Sequence, residues 1–321
     1  FITKILKFNF SQFYYNCFLM YAFNDLQNCI KFLKNYKNLK AAVFSYDINA
    51  NPTLVMACKV LNIRSFSFQE RTNSYSFSPY MYFDEYYISG PSIKKMFYKN
   101  LYKFDKINIR PLSRSFLIKD NFIKNKKKII CLPPPVLDRL TRYNYGDIFS
   151  NEKRSLFYEM VLDLSKHFPD VSFLIKEKFS SKDIIISEFS KKIKKLQIKN
   201  ISILEDVAKN SLYKIINNSQ VLFGNYSSFF DECFTVKKPI ILYDQDFQAF
   251  EHPLKYTNLC CKNLLDIKKN LKIILSKKII DNKKTMEIRN DYFPNFDNKN
   301  QNVYSDIIGK INHTITLNDK L

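Results

Sequence analysis

Glycine is scarce in this chain: four residues among 321, at Gly90, Gly146, Gly224 and Gly309. They stand too far apart for a G-x-G-x-x-G turn or a Walker loop, which excludes the phosphate loops of kinases, P-loop ATPases and standard dinucleotide dehydrogenases. No G-x-S-x-G elbow occurs, so the hydrolases built on that turn are excluded too. Tryptophan is absent, and the only histidines, His167, His252 and His313, are too scattered for a metal cluster. His167 reads as a residue at a helix C-terminus, where its partial charge suits the dipole, and His252 as a loop residue. The seven cysteines, Cys17, Cys29, Cys58, Cys131, Cys233, Cys260 and Cys261, show no paired metal spacing. Several sit in apolar runs as small hydrophobes, which fits a reducing cytoplasm. Long apolar runs are missing as well: Tyr14–Phe23 is about half the ~20 residues that span a bilayer, so no transmembrane helix is expected. The first residues do not read as a signal peptide, and the chain opens on Phe1 rather than Met. The expectation is a fragment that has lost part of its first domain.

What is present is a chain 46% hydrophobic, long enough to bury a sizeable core and to divide in two. Its formal charge of +21 points to an anionic partner such as acidic lipid, a phosphorylated substrate or nucleic acid. An AT-rich coding sequence would also yield this Lys, Asn, Ile, Phe and Tyr content, leaving much of the charge as solvated surface lysine. Aromatics make up 16%, yet no RNP, helix-turn-helix or zinc-finger pattern accompanies them, so no specific nucleic acid is expected.

Strands alternate with helices as in a parallel sheet. Leu26, Cys29, Ile30 and Leu33 mark one face of a helix over 25–37, and strand AAVFSYD follows. Next come a helix opened by Pro52, strand RSFSFQ, strand EYYIS and a helix opened by Pro91. The basic run Lys124–Lys128 precedes strand IICL, which places a domain boundary near residue 120. The second half repeats the theme: a helix over 153–167, strand VSFLIK, a Lys-rich helix over 184–196, strand ISIL and a helix over 211–217. After Asn270 apolar periodicity weakens, predicting one or two closing helices and a frayed end from about His313. The expected units are 1–120, an incomplete acceptor-side domain, 121–275, a nucleotide-donor domain, and 276–321, C-terminal helices and tail.

Val221–Gln248, VLFGNYSSFFDECFTVKKPIILYDQDFQ, is the most informative stretch. A strand ends at Gly224, the polar turn Asn225, Tyr226, Ser227, Ser228 opens a helix, and the helix closes on Lys237, Lys238 and Pro239 before strand IILY. Free N–H groups at such a helix start face any ligand at the strand ends. This half resembles the donor-binding domain of GT-B glycosyltransferases, most closely the branch with CDP-glycerol glycerophosphotransferases and capsule or surface polysaccharide transferases. The resemblance rests on Asn225, Tyr226, Ser227, Ser228, Asp231, Lys238 and Pro239. The wider E-A-M-A-x-G-x-P pattern falls on Glu232 to Pro239, with Lys237 in the place of its glycine. In the first half, SFSFQER is similar to a stretch ending Q-H-G or Q-E-G, with Arg71 replacing the glycine and no His beside Gln69. FDEYYISG is similar to a D-x-x-x-x-x-G segment.

The resemblance implies two Rossmann-like doubly wound domains facing a cleft and a metal-independent transferase without cofactor. It implies transfer of a sugar or glycerol phosphate from a nucleotide-activated sugar or CDP-glycerol to a polysaccharide, teichoic-acid-like or lipid-linked acceptor. It also implies work in the cytoplasm, peripheral to an anionic inner membrane face. Donor-binding residues would be Lys176, Lys178, Tyr226, Ser227, Ser228, Asp231 and Glu232, with Glu232 accepting a ribose hydroxyl. Ser228 and Asp231 also fit an S-x-x-D capping box that needs no ligand. Lys176 and Lys178 end strand VSFLIK, where the family has a cation and then a histidine, but solvated surface lysine is an equal reading. Glu70 is the candidate general base, against a plain salt bridge with Arg71. The string Asp244-Gln245-Asp246 resembles a GT-A metal motif, but two α/β halves precede it and no metal is expected. The competing reading is a catalytically degenerate binding or scaffold protein of the same pathway.

Overall fold

The computed structural model describes residues 10–44, 50–69, 83–99, 106–118, 127–134, 151–177, 184–204, 209–225, 227–243, 252–276, 281–294 and 303–318. The first half holds helix α1 (Phe10–Lys34), strand β1 (Ala41–Phe44), α2 (Pro52–Val60), β2 (Arg64–Phe68), β3 (Glu85–Ile88), α3 (Pro91–Lys99) and β4 (Lys106–Ile109). Its strands form a parallel sheet in the order β1-β2-β3-β4. The second half holds β5 (Lys128–Leu132), α4 (Asn151–His167), β6 (Ser172–Lys176), α5 (Ile184–Lys195), β7 (Ile201–Leu204), α6 (Lys209–Asn217), β8 (Val221–Gly224), α7 (Ser228–Thr235), β9 (Ile240–Tyr243), β10 (Cys260–Cys261) and α8 (Leu264–Leu275). Two further helices close the chain, α9 (Lys283–Tyr292) and α10 (Val303–Asn318). The second sheet is parallel throughout, in the order β10-β9-β8-β5-β6-β7.

Strands covered on both faces must be apolar on both, which is why IICL, VLF and IIL read as unbroken apolar runs. Along β5, Ile129 and Cys131 join a layer with Phe157 and Val161 of α4, Phe189 of α5 and Leu271 of α8. Ile130 and Leu132 point the other way, to Ile216 of α6 and Phe230 and Phe234 of α7. Phe157 stacks on Phe223 with ring centroids 5.4 Å apart, and burying such a ring is worth about 2–3 kcal/mol. The alternation makes this sheet doubly wound. Leu112 and Ile118, from the segment joining the two sheets, lie in the same layer as α7.

The helix predicted over 25–37 is only the second half of α1, which begins at Phe10. That half packs through Leu33, Leu26, Cys29 and Ile30 against Ala57 and Cys58 of α2. In the half before Asp25, Phe18, Leu19, Met20, Tyr21 and Phe23 are exposed, without the one-sided pattern by which a helix is recognised in sequence. Strand β4 and the two-residue β10 were not foreseen; each is too short for a periodic signal. Helix α10 continues past His313 to Asn318, where fraying was expected. Its Val303, Ile307 and Ile311 recur every four residues and pack on Phe66, Phe68 and Tyr87 of the first sheet.

The chain therefore crosses back. A Cβ on Gly90, after β3, would lie 2.5 Å from the Asp291 carbonyl oxygen of α9, so glycine there permits the contact. Arg110 pairs with Asp306 of α10 at 2.6 Å. Lys310 of α10 pairs with the buried Glu85 at 2.5 Å, and Arg64 pairs with its other oxygen. Burial alone would raise the Glu85 pKa, but the Lys310 ammonium, by hydrogen bond and charge, with the Asn108 amide and Arg64, holds it below its ordinary 4.5. A carboxyl depressed by folding stabilises fully above its unfolded pKa and loses that stabilisation as pH falls through the folded one. The urea midpoint should thus fall as pH drops below 4.5, and Glu85→Gln should flatten that part of the profile.

Candidate functional site

Strand β5 has β6 on one side and β8 on the other. Connections leave it in opposite directions there, and ligands of open α/β sheets bind in the crevice outside such a switch point. Leu132, the last residue of β5, registers with Gly224, the last of β8. Gly224 has φ +151°, and a Cβ on it would stand 2.1 Å from the Leu132 carbonyl oxygen. The next amide, Asn225 N–H, donates to that oxygen at 3.0 Å. Glycine thus brings the strand ends together.

Ser227 then caps α7 in an extended conformation, φ −149° and ψ 154°, but its side chain makes no capping hydrogen bond. The capping box expected from Ser228 and Asp231 does not form, because the helix starts one residue earlier than that pairing needs and Asp231 bonds elsewhere. The first-turn N–H groups of a helix have no intrahelical acceptor, and Ser227 and Ser228 flank them, both half-buried. The Asn225 side-chain oxygen beside them is buried without a hydrogen-bond donor, an acceptor that a ligand hydroxyl or a water could satisfy.

The carboxylates of α7 face inward. Asp231 is 0% exposed and accepts from His252 Nε2 at 2.9 Å. His252 Nδ1 accepts from Leu254 N–H at 3.1 Å, which leaves Nε2 to donate to Asp231. His252 is thereby tied to α7. Glu232 is 1% exposed. Its Oε1 takes the Arg114 guanidinium, Nε and Nη2 both at 3.0 Å, and its Oε2 takes the Tyr213 hydroxyl at 2.8 Å. Burial, then the Glu232 charge, push the Tyr213 phenol far above its usual range, so it remains a donor. Arg114 lies between the two sheets, which makes Glu232 a weld between α7 and the interdomain segment. Both acids of α7 are engaged with protein, while Ser227, Ser228 and the amides ahead of Phe230, whose own N–H donates to the Ser227 carbonyl at 2.9 Å, stand at the start of the helix.

Lys176 ends β6, two strands from Gly224, about 10 Å at normal strand spacing. It is half-buried, with its ammonium on the Glu177 carbonyl oxygen. Glu177 is itself buried, pairing with Arg154 at 2.5 Å and accepting from the Tyr158 hydroxyl. Sequence reading missed this cluster. The signal was available: Arg154 lies one turn before Tyr158 on the apolar face of α4, where a cation requires a buried partner. Lys237, in the place of the pattern's glycine, is held at φ +59°, a left-handed conformation that costs a side-chain-bearing residue about 1 kcal/mol. Lys238 is buried with its ammonium on the Ser219 carbonyl oxygen at 2.5 Å. His167 is the last residue of α4, as expected.

At the carboxyl ends of β2 and β3, the Ser89 amide donates to the Gln69 side chain at 2.8 Å, and both residues are buried. Glu70, Lys178, Tyr226, Asp244 and Asp246 lie outside the described residues.

No family model and no curated protein matches this chain. Solved structures do. UDP-GlcNAc 2-epimerase from Neisseria meningitidis bound to UDP-GlcNAc superposes with a TM-score of 0.57 at 13% identity, over 90% of this chain and 80% of that one. S. aureus MnaA with UDP gives 0.56 at 12% identity, over 92% and 79%. The Methanocaldococcus jannaschii UDP-GlcNAc 2-epimerase in complex with UDP-GlcNAc and UDP gives 0.52 at 15%, over 89% and 79%. At such identities the likeness is one of fold. This chain has the GT-B-like architecture, two doubly wound α/β domains built on parallel sheets.

Proposed function

We propose that this chain binds a nucleotide-activated donor at the carboxyl ends of β5 and β8 and transfers its sugar or glycerol phosphate to a growing surface polysaccharide or teichoic-acid-like acceptor. The supporting observation is the approach at Gly224, which sets the start of α7 beside the switch point with the Ser227 side chain not engaged in capping. The Ser227 and Ser228 hydroxyls and the first amides of α7 receive the donor phosphates, and Lys176 adds a cation from β6. Asp231 and Glu232 keep α7 seated. Tyr226 and Lys178 are assigned to the donor, and Glu70 to the acceptor hydroxyl, on sequence grounds. In the reaction the acceptor oxygen bonds to the transferred group, the bond to the nucleotide breaks, and the acceptor proton passes to Glu70. Charge building on the departing phosphate is met by helix dipole and hydroxyls. The acceptor and the inner membrane face belong to this proposal.

A second reading, nucleotide-sugar epimerisation, is favoured by proteins that share the fold, since several of those superposing above a TM-score of 0.5 carry the name UDP-GlcNAc 2-epimerase. Incubation with UDP-GlcNAc and with CDP-glycerol separates the two. Nucleotide release that depends on acceptor supports transfer. Interconversion of the sugar without acceptor supports epimerisation, and binding without turnover identifies the degenerate binding protein.

A further inference from the structure

A cavity of about 380 Å³ opens at the amino ends of β2, β3 and β4, bordered by Lys59, Asn62, Arg64, Asp84, Glu85 and Lys106. The strands are parallel, so this is the edge of the first sheet opposite Gln69 and Ser89. Reaction sites of open α/β sheets lie outside the carboxyl ends of the strands. The transfer proposed above makes no use of this edge.

The acceptors around the cavity are already engaged. Asp84 Oδ2 accepts from the Ser65 amide at 2.6 Å and from its hydroxyl at 2.8 Å. Glu85 Oε1 holds Arg64, while Oε2 holds Lys310 at 2.5 Å and the Asn108 amide at 3.0 Å. At the end of α2, the carbonyls of Ala57, Lys59 and Cys58 accept from the amides of Leu61, Asn62 and Ile63. Asn62, at φ 56°, closes that turn. The negative end of the helix is therefore capped, and a cation would find few acceptors here.

Donors are in surplus. Lys106 is exposed at the head of β4, and its ammonium has no hydrogen bond or ion pair among the described residues. Lys59 stands 3.8 Å from Asp84 with half of its side chain in solvent, and Arg64 keeps 39% of its own open. Four cations, Lys59, Arg64, Lys106 and Lys310, thus surround two carboxylates. Such a balance suits an acceptor-only ligand with two negative charges, which a phosphate carries on one compact group.

We propose that this cavity binds a small phosphate-bearing molecule, with Lys59 and Lys106 on its oxygens and Arg64 closing from the head of β2. The site is separate from the donor site and does not depend on it. The test is calorimetric titration of inorganic phosphate and of pyrophosphate into the S227A/S228A chain, at about 0.15 M salt to screen scattered surface lysine. That background keeps the start of α7 from competing, so nucleotide binding can fail there while the anion still binds here. One equivalent of pyrophosphate should bind. Adding K59Q/K106Q should weaken it at least about tenfold, since two charged donors are lost, and K106Q alone should weaken it less. Thermal melting without anion should be unchanged in both, because Lys106 has no partner to lose and the Lys59 pair is exposed. In the wild-type chain, pyrophosphate should slow amide hydrogen exchange over 59–65 and 106–109. Failure of both anions to bind at millimolar concentration, equal binding by K59Q/K106Q and by K106Q, or slowed exchange confined to 221–235 overturns the proposal.

Discussion

Gly224→Ala is expected to cost about 3 kcal/mol or more and to abolish nucleotide binding. The new Cβ would meet the Leu132 carbonyl oxygen at 2.1 Å, its carbon at 2.8 Å and the Leu132 nitrogen at 2.9 Å. All three are backbone atoms of a central strand, so none can swing aside as the end of a side chain would. The φ of +151° adds strain for any residue with a Cβ. Relief requires β8 to part from β5, which breaks the Asn225–Leu132 hydrogen bond and moves the start of α7. Chemical denaturation and a nucleotide titration read the two effects together. A soluble variant with an unchanged midpoint would show that the strand ends do not approach as described.

Arg114→Met should destabilise by about 3–5 kcal/mol, because it leaves the Glu232 carboxylate buried without its cation. The pair is well shielded, at 15% and 1% side-chain exposure, so solvent screening does little to soften the loss. Glu232→Gln combined with Arg114→Met should cost clearly less than the sum of the single changes. The coupling in that double-mutant cycle, measured by urea denaturation, checks the geometry. Additivity would mean the two groups do not meet. Because Arg114 lies between the sheets, the single variant should also weaken the docking of α7 and raise the nucleotide concentration needed for saturation.

The strands that frame the crevice were legible because buried parallel strands carry apolar runs bounded by turn residues: IICL before Pro133, VLF before Gly224, IILY after Pro239. Ser227 and Ser228 were legible through their place between strand and helix. The partners of Asp231 and Glu232 were not. Arg114 is 118 positions from Glu232 and Tyr213 is 19 away, and no local pattern reports a contact closed by tertiary packing. Reading Ser228 with Asp231 as a capping box failed for a related reason, since a shift of one residue in the helix start leaves the motif intact in sequence but not in space. The amino-terminal half of α1 escaped notice because periodicity reports burial, and its Phe18, Leu19, Met20, Tyr21 and Phe23 are exposed.

The most direct test of donor binding at the start of α7 is calorimetric titration of UDP and of CDP into the wild-type chain and into S227A/S228A. The expected result is that at least one nucleotide binds with a Kd of about 1 mM or tighter, and that the double substitution weakens it at least about tenfold, or ~1.4 kcal/mol. Failure of both nucleotides to bind at millimolar concentration, or equal affinity in the double variant, would contradict it.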